Sequence, residues 1–201
     1  YDACLNLGGF ANGSYSQNGI MIAYDLCAVN TVLNFLAEKK GVLFDKDGVL
    51  AKNGTLIPDF FNELEGLSFY KKTHPKSLGI EWVYATLFPL LEKHKTNSIE
   101  DLIHTYTFHI SKVIGISFSA GQKVLVTGGG AKNTYLMSLI REHSDALMVV
   151  PGEMVVDFKE ALIFGFLGIL RLRNQVNCLA SVTGVSKNHS SGSIFYPIND
   201  R

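Results

Sequence analysis

Val124-Leu125-Val126-Thr127-Gly128-Gly129-Gly130-Ala131-Lys132-Asn133 is the stretch on which the fold turns. Val124 to Val126 is a short apolar run bounded by turn residues, the pattern of a buried strand. Three glycines follow, and glycine tolerates positive φ and a close approach to its backbone. Positive φ is expected at Gly129, where a β-branched replacement would be an outlier. Asn133 is a good N-cap, and Leu136, Leu139 and Ile140 form one face of the helix it starts. Strand, glycine turn and helix in that order present unpaired N–H groups and a positive dipole end to an anion. The same pattern also serves as a plain β-to-α turn.

Outward toward the N-terminus, Ala3 to Leu7 is a strand followed by a second glycine turn, Gly8-Gly9-Phe10-Ala11-Asn12-Gly13. Ser14 to Gln17 returns, Asn18-Gly19 is a strong two-residue hairpin signal, and Ile20 to Tyr24 is a third strand. Asp25 to Asn30 leads into a helix with Val32, Leu33, Phe35 and Leu36 along one face, ended by Gly41. Residues 42–96 interrupt the pattern and are read as an insertion. Within them Asp45-x-Asp47-Gly48 lacks the further ligands of a calcium loop, and Pro58 opens a short helix to Leu67. His74 to Gly79 is a loop in which Lys76 reads as a solvated lysine, with a phosphate or sugar contact as the alternative. Asn97-Ser98-Ile99-Glu100 nearly forms a capping box for a long helix through Ile114. His104 and His109 lie on that helix without further ligands at metal spacing.

Outward toward the C-terminus, Ala146 to Val150 is a fifth strand. Asp157-Phe158-Lys159-Glu160 opens a last helix reaching about Arg173, apolar nearly all round and so expected to be buried. Ala161, Gly165 and Gly168 give it a small face for close packing. Thr183 to Arg201 is rich in Ser, Gly and Asn and is expected to be irregular.

The chain has 201 residues, 47% hydrophobic and 18% charged, enough for one domain with a full core. Its net charge is zero, which gives nucleic acid and anionic membranes no basic face to bind. Cys4, Cys27 and Cys178 are far apart and form no C-x-x-C, consistent with a reduced, cytoplasmic setting. The longest apolar run, Ala161 to Leu170, is too short to cross a bilayer. The chain opens without Met directly on a strand, so the N-terminal part of a longer protein is expected before it.

The element order is three antiparallel strands, a helix, an insertion, a helix, then two strand–helix units. This predicts an α/β fold: a ribonuclease-H-like, actin-like ATPase lobe with a mixed sheet and helices on both faces. Fold alone does not identify a substrate.

Five segments together resemble the anhydro-N-acetylmuramic acid kinases. They are Leu5-Asn6-Leu7-Gly8-Gly9-Phe10-Ala11-Asn12, His74-Pro75-Lys76-Ser77-Leu78-Gly79, Val126 to Asn133, Asp157-Phe158-Lys159-Glu160-Ala161, and Leu179-Ala180-Ser181-Val182-Thr183-Gly184. The resemblance implies an ATP- and Mg2+-dependent kinase that opens the anhydro ring with water and phosphorylates the freed 6-hydroxyl, in cell-wall recycling. Residues 1–201 would be its C-terminal lobe, partnered by an N-terminal lobe and compatible with a homodimer. The family's first phosphate loop and general-base Asp would lie upstream, so no catalytic residue is assigned in this chain, and the chain alone is expected to be inactive.

By the same resemblance, Asn6, Gly8, Gly9 and Asn12 form a phosphate turn, and Thr127, Gly128, Gly129 and Gly130 meet the nucleotide. Phosphoryl transfer needs positioning and electrostatic stabilisation, which such turns provide. Glu160 either hydrogen-bonds the sugar or, at capping-box spacing from Asp157, closes its own helix start. Asp25 either orients a magnesium-bound water or closes a turn. The metal ligands are unassigned. The family has Asp-Thr-Gly-Pro-Gly-Asn where this chain has Asp25-Leu26-Cys27-Ala28-Val29-Asn30. Side chains at Leu26, Cys27 and Val29 are expected to crowd a ligand there. That departure keeps open a noncatalytic or diverged actin-like nucleotide-binding protein, or an activator ATPase of the same fold.

Overall fold

The computed structural model describes residues 1–196; the end of the segment expected to be irregular, residues 197–201, lies outside the described residues. Three strands form the expected meander: β1 (Ala3–Leu7), β2 (Phe10–Gln17) and β3 (Ile20–Ala28). Asn18 at φ 52° and Gly19 at φ 78° close the β2–β3 hairpin, the left-handed pair such a two-residue turn demands. Both β2 and β3 extend further than their sequence suggests, because Phe10 pairs with Ala28 and Ala11 with Cys27. Residues that look like turn formers are thus drawn into the ladder. A bulge at Ala11/Asn12 absorbs the extra residue.

β4 (Lys123–Thr127) runs parallel to β1, and β5 (Leu147–Val149) runs parallel to β4. The sheet order is β3-β2-β1-β4-β5, the ribonuclease-H-like order, with its antiparallel half on one side and its parallel half on the other.

Leu5, Leu7, Val124 and Val126 alternate onto one face of the sheet and are fully buried. There they join the core formed with α1 (Asn30–Glu38) and the long α6 (Ile99–Gly115). Between these two helices the chain winds through α2 (Val49–Lys52), α3 (Pro58–Gly66), α4 (Ile80–Trp82), a π-helical turn at Val83–Leu87, and α5 (Phe88–Lys93). The Asp45 carboxylate caps α2, accepting from Leu50 N at 2.8 Å and Ala51 N at 3.0 Å. It is therefore a capping group and not a calcium ligand. Ser98 caps α6 through Asp101 N, and Asn133 caps α7 (Thr134–Glu142) through Leu136 N, both at 3.0 Å.

α8 (Glu153–Leu172) corrects two expectations. It starts at Glu153, with Gly152 at its N-cap, so Asp157-x-x-Glu160 is not a capping box but lies inside the helix. Nor is it buried: Phe158 is 64% exposed, Leu162 74% and Phe164 70%. Only the edge carrying Val156, Lys159, Leu167, Leu170 and Arg171 is partly covered. Gly165 and Gly168 have open space where a β-carbon would stand, so their small face packs on nothing among the described residues. An apolar sequence predicts burial only if some surface is available to cover it. A short α9 (Ala180–Thr183) packs against β3. Among the described residues no helix is long and apolar enough to cross a membrane.

His109 is fully buried on α6, with Nδ1 3.0 Å from Glu65 Oε1. Lys112 holds the other Glu65 oxygen at 2.9 Å. Burial drives the His109 pKa down to about 4, although the Glu65 charge and hydrogen bond oppose it. A histidine that is harder to protonate when folded favours the unfolded state as pH falls below its ordinary value near 6.5. Stability is therefore expected to decline from about pH 6.5 toward pH 4, by at most about 3 kcal/mol from this group. Urea melts at pH 7, 5.5 and 4.5 would measure this. His109→Phe should flatten the decline, and an unchanged slope in that variant would assign it to other groups.

Candidate functional site: a glycine-lined cleft edge

Two glycine turns meet at the C-terminal ends of β1 and β4, where ligand sites form in open α/β sheets. The Gly8–Gly9 turn serves α1. A helix start needs acceptors for its first N–H groups, and Val29 N and Thr31 N donate to Gly9 O at 2.8 and 3.2 Å, while Asn30 N donates to Gly8 O at 3.2 Å. Gly8 N–H is itself spent on Phe10 O. A β-carbon at Gly9 would stand 2.8 Å from Thr31 Oγ1.

At the second turn the left-handed residue is Gly128, with φ 86°, and not Gly129. A β-carbon on Gly128 would stand 2.7 Å from Leu7 O and 3.0 Å from Asn6 Oδ1, so the two turns are in contact. A β-carbon on Gly130 would meet Leu7 Cβ at 2.8 Å. Gly129 is open, with Asn30 Nδ2 at 3.8 Å the nearest atom.

Gly129 and Gly130 form one wall of a cavity of about 450 Å³, inside the size range of small-molecule sites. Asn30, Leu33 and Asn34 of α1 form another wall. Phe44, Lys46 and Asp47 close it, Phe44 being an exposed aromatic at the rim. The sequence reading missed Asn34, Phe44 and Lys46. Phe44 sits in a segment without periodicity, and nothing local places it opposite a glycine turn eighty-odd residues on.

Asn6 pairs with Thr127 across the parallel ladder and with Asn12 across the antiparallel one. Asn6 and Thr127 are joined through a residue of α8. Lys159 Nζ donates to Asn6 Oδ1 at 2.5 Å and to Thr127 Oγ1 at 2.7 Å. Because Asn6 projects away from Leu5 and Leu7, this contact places α8 on the other face of the sheet, so helices cover both. Next to it Lys132 Nζ pairs with Asp157 at 2.6 Å, tying α8 to the turn.

Asn12 and Asp25 lie in a different groove, of about 490 Å³, with Tyr24, Lys76, Ser77 and Thr183. Asp25 Oδ2 accepts from Leu78 N at 2.7 Å and Ser77 Oγ at 3.1 Å, so it anchors the 74–79 loop. Lys76 is not simply solvated: its ammonium lies 4.8 Å from the Phe69 ring centre, and burial lowers its pKa. Glu160 is exposed on α8 with no hydrogen bond among the described residues. The structure thus gathers Asn6, Gly8, Gly9 and Thr127 to Gly130 at one edge; Asn12, beside Asn6 on the ladder, also lines the second groove with Asp25, and Glu160 stands exposed on α8 next to Lys159.

The Asp25–Asn30 segment also differs from expectation. Leu26, Cys27, Ala28 and Val29 are at most 1% exposed and point into the core. Tyr106 Oη donates to Ala28 O at 2.9 Å from beneath. These side chains therefore cannot crowd a ligand at the cleft. Among the described residues no three His, Cys, Asp or Glu side chains are grouped to hold a metal ion.

Comparison with known proteins follows the same line. The sequence profile of a family described as anhydro-N-acetylmuramic acid kinase matches residues 1–197. A protein of that name from Aliivibrio fischeri is 31% identical over 97% of this chain and 56% of its own length. Another from Rhodococcus erythropolis is 32% identical over 94% of this chain and 52% of its own length. The chain therefore spans about half the length of these curated relatives. A solved activator of the 2-hydroxyisocaproyl-CoA dehydratase from Clostridium difficile, with bound ADPNP, aligns over 80% of this chain and 56% of its own, at 17% identity and a TM-score of 0.49. At that level the likeness carries no functional argument.

Proposed function

The chain belongs to the anhydro-N-acetylmuramic acid kinase family, and on that premise we propose that it is the C-terminal, nucleotide-holding lobe of an ATP-dependent kinase of anhydro-N-acetylmuramic acid. Residues 42–96 are its insertion. The longer protein opens the anhydro ring with water and phosphorylates the 6-hydroxyl. One observation carries this reading: a cavity of about 450 Å³ whose wall is the Gly129–Gly130 backbone, one residue from a left-handed Gly128 in contact with the β1 turn.

The residues present fit a nucleotide. Gly129 leaves room for close approach, Asn30 and Asn34 offer amides, and Phe44 offers a ring face at the rim. ATP supplies the transferable phosphoryl group. This chain's part is to hold and orient it, which is where catalysis of phosphoryl transfer resides. Magnesium would be held chiefly through phosphate oxygens and water, as that ion prefers. The general base, the first phosphate loop and most of the sugar site belong to the proposed N-terminal lobe, so residues 1–201 alone should not turn over. A homodimer and a cytoplasmic setting fit the same reading.

The test is direct. The full-length protein, given ATP, Mg2+ and anhydro-N-acetylmuramic acid, should form N-acetylmuramic acid 6-phosphate, carrying one solvent oxygen when the reaction runs in labelled water. Mass spectrometry reads both. ATP binding without sugar phosphorylation would favour the diverged nucleotide-binding protein instead.

A further inference from the structure

Lys159 is a cation without a counter-ion. Lys112 pairs with Glu65, Lys93 with Glu63 and Lys132 with Asp157, and the half-buried Lys76 lies over the Phe69 ring. Among the described residues Lys159 takes part in no ion pair within 4.0 Å. Its two partners, Asn6 Oδ1 and Thr127 Oγ1, are neutral. It is half-buried, and burial lowers its pKa while Glu160 and Cys4 pull it back only in part. A desolvated ammonium held by neutral acceptors is stabilised by an incoming anion.

Its place defines that anion. Asn6 and Thr127 are the residues from which the two glycine turns depart. Asn6 Oδ1, 2.5 Å from the ammonium, lies 3.0 Å from where a Gly128 β-carbon would stand. The next residue, Gly129, walls the 450 Å³ cavity. An ammonium has three donors, and two are engaged here, leaving one for a ligand.

Resting on the kinase reading, we propose that Lys159 binds the phosphate chain of the nucleotide whose base and ribose occupy that cavity. Its hydrogen bonds to Asn6 and Thr127 aim the ammonium and hold the two turns in register. Nucleoside di- and triphosphates are its ligands; a nucleoside without phosphate does not reach it.

Calorimetric titration of the full-length protein with ATP, ADP and adenosine tests this. Lys159→Met should weaken ATP and ADP on the order of 10- to 100-fold, the span of a lost charge-assisted hydrogen bond. Adenosine affinity should stay within about 2-fold, since it carries no phosphate to meet the Lys159 ammonium. Lys159→Arg, which keeps the charge, should recover part of the loss. If Lys159→Met does not fold, Lys159→Gln, which keeps a donor but no charge, is read by the same criteria. An ATP affinity unchanged in the charge-free variant overturns the inference and leaves the kinase reading standing. So does a fall in adenosine affinity matching that in ATP, which would mark Lys159 as purely structural. Wild-type protein that binds neither ATP nor adenosine overturns the kinase reading itself, and the inference with it.

Discussion

Valine at position 128 is expected to destabilise the fold, while valine at position 129 is expected to leave the fold intact and remove nucleotide binding. The two positions differ in what surrounds them. Gly128 has φ 86°, and its β-carbon would lie 2.7 Å from the Leu7 carbonyl oxygen. A β-branched side chain there faces both a disfavoured backbone region and backbone atoms of β1 that cannot swing aside. The expected loss is on the order of 3 kcal/mol or more. Gly129 is outside the left-handed region and meets nothing nearer than 3.8 Å. Its side chain would extend into the cavity it walls. Thermal melts by circular dichroism separate the variants first, and ATP titration of folded Gly129→Val follows. Wild-type ATP affinity in that variant would remove the nucleotide from this turn. A wild-type melt for Gly128→Val would contradict the close contact between the turns.

Glu160→Gln is expected to lower anhydro-sugar kinase activity of the full-length protein on the order of 100-fold, with no change in melting temperature. The stability part follows from the structure. Glu160 is exposed, lacks a hydrogen-bond partner among the described residues, and lies inside α8 instead of at its cap. The capping role that would have explained a carboxylate there is therefore gone. The activity part is a hypothesis drawn from the family resemblance, in which this carboxylate contacts the sugar. Gln keeps the shape and one acceptor oxygen but loses the charge. Steady-state kinetics decide it. Activity within about 2-fold of wild type would release Glu160 from the sugar site and leave it a surface residue.

Much of the fold was legible because its determinants are local. Val124 to Val126 formed a strand, Asn133 capped the next helix three residues on, and Asn18-Gly19 closed a hairpin. Each follows from side-chain alternation or a hydrogen bond spanning a few residues. The order of these elements was enough to indicate the sheet, since short right-handed connections leave few arrangements. The two glycine turns were legible as turns for the same reason.

What the sequence by itself determined was therefore the element order, the two glycine turns and the family. The tertiary structure alone decided which glycine is left-handed, and it set the Leu7 carbonyl of β1 where a Gly128 β-carbon would stand, a contact that residues 124–133 do not spell out. It decided that Leu26, Cys27 and Val29 turn inward, since β3 continues to Ala28 in register with Phe10. It brought Phe44 and Asn34 to one cavity and Lys159 to Asn6, 153 residues away in the chain. It also left α8 exposed where its composition called for burial. Local hydrogen bonds and periodicity are written in neighbouring residues; close packing and the pairing of distant polar groups arise only when the sheet sets its strands side by side.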